Sequence, residues 1–201
     1  YFIEVVSGMP YDEFLRKRLF DPLGMNDTWF YIPKDQGKRL VSVQHTTDEG
    51  KWDRYPVTFY DPDYPVKGAK CFFSGGAGLC STVKDYATFL QMYLNGGELN
   101  GIRILSRTTI QSMLRNQIGD LRGKNFNRHY GLAFSITNEI GEAVGGMGSV
   151  GSLASGGYFN TQSFADPKEG YIGILMKQTR GPVSDNTGWM FRLLTGQAVD
   201  D

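Results

Sequence analysis

The sequence predicts an α+β domain of mixed α/β content, in which an antiparallel sheet is flanked by helices. Helical apolar stripes recur through the first two thirds of the chain, and two apolar runs joined by "DPKEG" near the C-terminus predict a hairpin. The composition, with 26 glycines and 13% aromatic residues in 201, suits a loop-rich enzyme-like domain better than a helical bundle. The length fits a single domain over residues 1–201.

The first residues indicate two helices. "YFIEVVSG" has the pattern of an apolar helix that ends at Gly8, a favourable C-cap. The next helix begins near Pro10 and ends at "DPLGM". Its apolar stripe consists of Tyr11, Phe14, Leu15 and Leu19. No capping residue precedes Tyr1, so we expect the upstream part of the domain to lie outside this sequence.

Residues 29–79 are predicted to be largely irregular, and a segment this long is either a functional loop or contains elements that the sequence pattern does not reveal. Five aromatic residues cluster within it: Trp52, Tyr55, Phe59, Tyr60 and Tyr64. They could line an ester pocket, or they could pack the loop itself, and the sequence does not choose between the two. If a pocket exists, Trp52, Tyr55 and Tyr60 are its predicted substrate-binding residues.

The centre of the chain predicts a helix over 82–95, a small hairpin in "NGGELNGIRIL", and a helix from the N-cap Ser106 to about Asn116. The last third predicts strands over 130–137, 158–165 and 171–178, with a glycine-rich loop before the second. A terminal helix is predicted over 186–196.

Ser81 and Lys84 have the Ser-x-x-Lys spacing of a serine nucleophile and its lysine base. Val83, Tyr86, Phe89, Leu90, Tyr93 and Leu94 form the predicted apolar stripe of this helix. Lys84 falls on the polar side, where a lysine keeps its charge at neutral pH. Ser81 or Thr82 stands where an N-cap belongs, and Thr82-x-x-Asp85 approximates a capping box. We therefore interpret this segment as a helix cap.

Several other functions are disfavoured. The 21 basic and 21 acidic residues cancel, so no nucleic-acid surface is predicted. No apolar run reaches the length of a membrane span. Two cysteines and two histidines match no zinc spacing, so we predict no metal and no cofactor, and buried thiols rather than a disulfide. Gly146-x-Gly148-x-x-Gly151 lacks the strand and helix of a dinucleotide site.

Three blocks resemble a known family. "IEVVSGMPYDEFLRKRLFDPLGMNDTWF", "GGAGLCSTVKDYATFLQMYLNGGELNGIRILSRTTIQSM" and "SGGYFNTQSFADPKEGYIGILMKQ" are similar to the serine β-lactamase-like superfamily of class C type. That superfamily includes penicillin-binding proteins, D-alanyl carboxypeptidases and esterases such as 1,4-butanediol diacrylate esterases. The resemblance implies a transpeptidase-like fold. It also implies that the family's Ser-x-x-Lys and Tyr-x-Asn motifs precede Tyr1.

The third active-site motif of that family, Lys-Thr-Gly, His-x-Gly or Trp-Gly-Gly, corresponds to Ser155-Gly156-Gly157. The resemblance implies that these residues edge the site and that the backbone N–H of Tyr158 is an oxyanion-hole donor. Ser155 carries no charge, which favours neutral esters over anionic β-lactams or peptidyl-D-alanine. Without the flanking blocks, Ser-Gly-Gly would be read as a glycine turn.

We therefore expect the C-terminal part of a serine hydrolase, preferably a carboxylesterase that works through an acyl-serine and is inactive as this chain alone. The alternatives are a D-alanyl carboxypeptidase or β-lactamase, with a β-lactam-like substrate, and a non-catalytic binding module on the same scaffold. Strands drawn from elsewhere would leave an exposed sheet edge prone to self-association. Periplasmic and cytoplasmic locations both stay open.

Overall fold

The computed structural model describes residues 1–182 and 185–199 as a mixture of helices and mostly antiparallel strands. The helices are α1 (Phe2–Ser7), α2 (Tyr11–Leu15), α3 (Asp21–Leu23), α4 (Tyr64–Lys67), α5 (Val83–Leu94), α6 (Arg107–Met113), α7 (Glu139–Val144) and α8 (Thr187–Gln197). The strands are β1 (Gln44–Thr46), β2 (Trp52–Arg54), β3 (Glu98–Leu99), β4 (Ile102–Arg103), β5 (Arg128–Tyr130), β6 (Ser135–Thr137), β7 (Leu153–Gly156), β8 (Gln162–Asp166), β9 (Tyr171–Leu175) and β10 (Thr179–Arg180). Within these ranges, every helix is too short or too polar to cross a bilayer.

The main sheet has five antiparallel strands in the order β5-β6-β7-β8-β9. Leu153 of β7 and Ala165 of β8 lie opposite each other and belong to the same buried cluster as Leu90 of α5. Phe164, the neighbour of Ala165, points to the other face, where its ring lies 5.6 Å from that of Phe191 in α8. The sheet is therefore flanked by α5 and α8, which confirms the predicted fold class.

A second sheet has the strand order β10-β1-β2. It connects the irregular segment 29–79, which contains β1 and β2, to β10, which follows the main sheet. β1 pairs with β10 in parallel and with β2 in an antiparallel hairpin. Because β10 follows β9 closely, this small sheet holds residues 44–54 beside the main sheet. Most of 29–79 is irregular, as predicted, but these short strands and α4 were not foreseen.

The N-terminal helices end where the sequence places their ends. Gly8 and Gly24 adopt left-handed conformations, with φ of 67° and 68°, that favour glycine. Between α2 and α3 the helix widens into a π-helical segment, Arg16–Phe20. Pro22 lies just beyond it, and proline has no N–H with which to continue the helical ladder.

Helix α5 begins at the predicted cap. The Thr82 hydroxyl accepts a hydrogen bond from the backbone N–H of Asp85 at 3.2 Å. The capping-box prediction is wrong in one respect, because the buried carboxylate of Asp85 accepts from the backbone N–H of Asp27 and the hydroxyl of Thr28 instead. The predicted stripe is also too wide, since Val83 is 48% exposed.

Three predictions for the last third need correction. The predicted strand 130–137 is a strand, a turn and a second strand, because Gly131 passes so close to Met113 that a Cβ would lie 2.3 Å from its carbonyl oxygen. The glycine-rich loop contains α7, whose N-cap Asn138 accepts from the N–H of Gly141. The strand predicted from 158 begins only at Gln162. The hairpin through "DPKEG" and the terminal helix are confirmed.

Both cysteines are free thiols, as predicted, but only one of them is shielded. Burial raises the pKa of Cys80 to about 11, whereas Cys71 is exposed. The prediction of buried thiols is therefore wrong for Cys71, which lies in the irregular segment before α5.

The helix after Ser106 is also shorter than predicted, ending at Met113.

Candidate active site

The predicted motif Ser155-Gly156-Gly157 lies where β7 leaves the core. Leu153, at the start of the strand, is 1% exposed, whereas Gly156 and Gly157 are exposed. Ser155 pairs with Ser163 of β8 and shares the sheet face of Leu153. The strand therefore carries its backbone from the interior to an open surface within four residues.

Gly157 has a structural reason to be glycine. A Cβ at this position would lie 2.1 Å from the hydroxyl oxygen of Thr161. The turn is closed by hydrogen bonds from the N–H of Gly157 to the carbonyl of Thr161 and from the N–H of Asn160 to the carbonyl of Gly157. At Gly156 the nearest atom to a Cβ is the Gln162 amide nitrogen, at 3.3 Å. The turn thus requires glycine at 157, while Gly156 leaves the strand surface accessible.

The backbone N–H of Tyr158 is available as a donor. It donates to no group in the part of the chain that the structure describes, and Tyr158 is 46% exposed. An unpaired N–H at the end of a strand can bind a carbonyl oxygen that becomes negatively charged. The geometry is compatible with the predicted oxyanion role, which stays a prediction.

An aromatic cluster formed by Tyr55, Tyr60, Tyr158 and Phe159 adjoins this donor. The ring centroids of Tyr60 and Tyr158 are 4.8 Å apart, and those of Tyr55 and Phe159 are 5.2 Å apart. The hydroxyl of Tyr55 raises the pKa of Tyr158. The pKa of Tyr55 is lowered, first by a hydrogen bond with Thr58 and then by the Tyr158 hydroxyl. Two of the three predicted pocket residues therefore lie beside the motif.

Trp52 does not join them. It lies on β2, opposite Thr46, and is 50% exposed. It borders a separate shallow depression with Thr47, Asp48 and Lys51. Successive side chains of a strand point to opposite faces, and the sequence did not reveal whether Trp52 or Tyr55 would face Tyr158 and Phe159.

Arg180 is a neighbour of this site that the sequence did not reveal. Its guanidinium carbon lies 4.3 Å from the centroid of the Tyr158 ring, a cation–π distance. Among the described residues, no carboxylate forms an ion pair with Arg180. The contact arises because β10 pairs with β1 and the N–H of Thr179 donates to the carbonyl of Phe159.

Ser81 is not arranged as a nucleophile. Its hydroxyl shares a 2.8 Å hydrogen bond with that of Thr28, which in turn donates to Asp85. Lys84 is exposed in the first turn of α5. The interpretation of this segment as a helix cap is confirmed.

Across the described ranges, no three acidic, histidine or cysteine side chains group as metal ligands.

The sequence pattern of the Beta-lactamase family matches residues 1–197. The chain belongs to the Beta-lactamase family. This is a family of serine hydrolases and penicillin-binding proteins, so the resemblance in the three sequence blocks is confirmed.

A curated relative, penicillin-binding protein 4 of Amycolatopsis lactamdurans, is 28% identical over 200 residues, or 97% of this chain and 48% of that protein. Two solved structures share the fold at 21% identity and a TM-score of 0.78. Simvastatin synthase (LovD) from Aspergillus terreus matches over 100% of this chain and 54% of its own. EstCE1, a hydrolase with promiscuous acyltransferase activity, matches over 94% and 51%. The chain thus spans about half the length of these relatives.

Proposed function

We propose that this chain forms the oxyanion-binding edge and one pocket wall of a serine carboxylesterase that hydrolyses small neutral esters. The observation that carries the proposal is the N–H of Tyr158 beyond the end of β7, which has no acceptor among the described residues and has the aromatic cluster beside it. Because the Ser81 hydroxyl is bonded to that of Thr28, next to the α5 cap formed by Thr82, the proposal places the nucleophilic serine outside these 201 residues. The chain by itself is therefore expected to be inactive.

In the proposed reaction the serine oxygen attacks the ester carbonyl, and the carbonyl oxygen becomes an oxyanion. The N–H of Tyr158 and that of the nucleophile stabilise this charge. The C–O bond to the alcohol then breaks, the alcohol takes up the proton that the serine hydroxyl lost, and the acyl group stays on the serine. Water attacks the acyl-serine in the same way, which releases the carboxylic acid and restores the serine.

The substrate class follows from what faces the reacting carbonyl. Ser155 offers a hydroxyl where a lysine or histidine would offer a cation. Tyr55, Tyr60 and Phe159 present ring surface that suits an apolar acyl or alcohol group. EstCE1, which shares the fold, is described as a hydrolase with promiscuous acyltransferase activity, and that description agrees with ester chemistry.

Fluorophosphonate labelling tests the location of the nucleophile. We expect the purified 201-residue chain to form no covalent adduct by intact mass and to hydrolyse no p-nitrophenyl butyrate. The longer protein that includes the preceding residues is expected to label on one serine upstream of Tyr1 and to turn over the ester. A stoichiometric adduct on Ser81 would contradict the proposal. A longer protein that binds esters without turning them over would instead support the binding-module alternative.

A D-alanyl carboxypeptidase or β-lactamase is the second candidate, and Arg180 is the observation that favours it. Its guanidinium, close to Tyr158, forms no ion pair within residues 1–182 and 185–199, and a free guanidinium can bind the carboxylate of a β-lactam or a peptide. The similarity to penicillin-binding protein 4 agrees with such a substrate.

Arg180→Gln separates the two candidates in the longer protein. For a neutral-ester enzyme we expect kcat/KM for p-nitrophenyl butyrate to change by less than about twofold, because no full charge on the substrate is lost. For an enzyme of anionic substrates, the KM for nitrocefin or a peptidyl-D-alanine should rise by tenfold or more, about 1.4 kcal/mol. Nitrocefin hydrolysis that exceeds ester hydrolysis in the unmodified protein would rule out the carboxylesterase.

A further inference from the structure

The turn after β7, which carries Tyr158, is tied to later parts of the chain as well as closed by its own hydrogen bonds. The backbone N–H of Thr179 donates to the carbonyl of Phe159 at 2.9 Å. The side-chain amide of Asn160 donates to the Thr179 hydroxyl at 3.5 Å and to a carboxylate oxygen of Asp185 at 3.4 Å. The direction of the Tyr158 N–H therefore depends on residues that follow β9.

Asn160 suits both of its tasks in this turn. Its backbone is left-handed, with φ of 66°, a conformation that asparagine adopts more readily than most residues with a side chain. Its N–H closes the turn by donating to the carbonyl of Gly157 at 3.0 Å. The side-chain amide is thus left to bond outward, and it connects the turn to Asp185.

The carboxylate of Asp185 is paired on both oxygens by residues of this chain. Oδ1 accepts from the N–H of Thr187 at 3.1 Å and from its hydroxyl at 2.6 Å. Oδ2 accepts from the ammonium of Lys177 and from the amide of Asn160. Hydrogen bonds with Lys177 and then Thr187 lower the pKa of Asp185 to about 2. The ionised carboxylate only accepts, and these four donors occupy its acceptor sites.

Asp185 is itself anchored on two elements of the core. Lys177 lies just beyond β9, and its ammonium also donates to the hydroxyl of Thr187, the first residue of α8, at 3.2 Å. The start of α8 lies directly against β8, because a Cβ on Gly188 would be 2.6 Å from the Cγ of Gln162. The position of the carboxylate is therefore set by β8, β9 and α8 together.

We propose that Asp185 is a positioning residue of the oxyanion hole: held by Lys177 and Thr187, it orients the N–H of Tyr158 through Asn160. The inference rests on the proposed function, because the direction of this N–H matters only if it binds the oxyanion. Such a donor must lie about 3 Å from the developing charge. A displacement of about 1 Å can lower a rate by as much as about a hundredfold.

Asn160→Gly in the longer protein is the deciding variant. Glycine keeps the left-handed backbone, and the ion pair of Lys177 and Asp185 stays intact, so only the connection is lost. We expect kcat for p-nitrophenyl butyrate to fall about tenfold and KM to change by less than about twofold. In a Tyr158→Pro background the same substitution should lower kcat by less than about twofold further, since no donor remains to be positioned.

Lys177 provides a conservative comparison. Lys177→Met removes the cation that holds Asp185 and is expected to lower kcat about as much as Asn160→Gly, whereas Lys177→Arg keeps the cation and should retain kcat within a few-fold. Glu98→Gln is the matched control, because it breaks the ion pair with Arg103 in the β3–β4 hairpin and should leave kcat unchanged.

The outcomes separate this inference from the proposed function. If Tyr158→Pro lowers kcat and Asn160→Gly does not, the positioning role is wrong and the oxyanion hole stands. If Asn160→Gly costs the same factor with and without the Tyr158 N–H, its role is structural, which also overturns the inference. If Tyr158→Pro folds and keeps full kcat, the oxyanion assignment fails and the positioning role fails with it.

Discussion

Tyr158→Pro is expected to lower kcat of the longer, catalytically complete protein for p-nitrophenyl butyrate about a hundredfold, corresponding to about 2.7 kcal/mol of transition-state stabilisation. Proline removes the backbone N–H that the proposal assigns to the oxyanion hole. The N–H makes no hydrogen bond within the described chain, so its loss removes no visible structural contact. The effect should fall mainly on kcat, because the donor binds charge that develops during the reaction.

Tyr158→Phe is the matched control. It keeps the backbone N–H and the ring that stacks on Tyr60, and removes only the hydroxyl. We expect it to retain kcat within a few-fold. Thermal unfolding of both variants shows whether the turn at 157–161 tolerates the change. If Tyr158→Pro folds and keeps full kcat, or if Tyr158→Phe is equally impaired, the oxyanion assignment is wrong.

Asp85→Ala is expected to destabilise the chain by about 2–4 kcal/mol in urea unfolding. The carboxylate is 6% exposed, and a single oxygen accepts from the N–H of Asp27 at 2.8 Å and the hydroxyl of Thr28 at 2.9 Å. Alanine would leave both donors without their acceptor. These bonds connect the start of α5 to the segment after α3, so their loss separates two parts of the core.

Two further substitutions show whether the connection or the helix cap matters more. Thr82→Ala removes only the cap and should cost about 1 kcal/mol. Asp85→Asn keeps one oxygen acceptor and should fall between the two. The interpretation fails if Asp85→Ala costs no more than Thr82→Ala, because Asp85 would then serve only the first turn of α5.

Elements with local signals were predicted well. Gly8 and Gly24 end their helices, Thr82 begins α5, and "DPKEG" closes the hairpin between β8 and β9, because turns and caps depend on residues a few positions apart. The strand predicted over 130–137 failed, since the turn in it is imposed by the close approach of Gly131 to Met113 in α6. Periodicity carries no information about such a neighbour.

The residues of the candidate site also fall into those that the sequence indicated and those that it did not. Ser155, Gly156, Gly157 and Tyr158 could be proposed from resemblance, because the motif is contiguous and immediately precedes a recognisable hairpin. Tyr55 and Tyr60 could be suspected but not chosen over Trp52, since their neighbours lie about a hundred residues away in the chain. Nothing in the residues around Arg180 indicated that it belongs to the site, because its position over the Tyr158 ring depends on the pairing between β1 and β10.

The sequence by itself determined the family, the helix caps, the hairpin and the absence of any charge at Ser155, all of which are contained in short stretches of residues. Only the tertiary structure decided that Ser81 contacts Thr28 rather than Lys84, that Asp85 is buried, and that Arg180 lies over the ring of Tyr158. The reason is that hydrogen bonds and burial are satisfied by whichever groups the fold brings together. Those partners lie far apart along the chain.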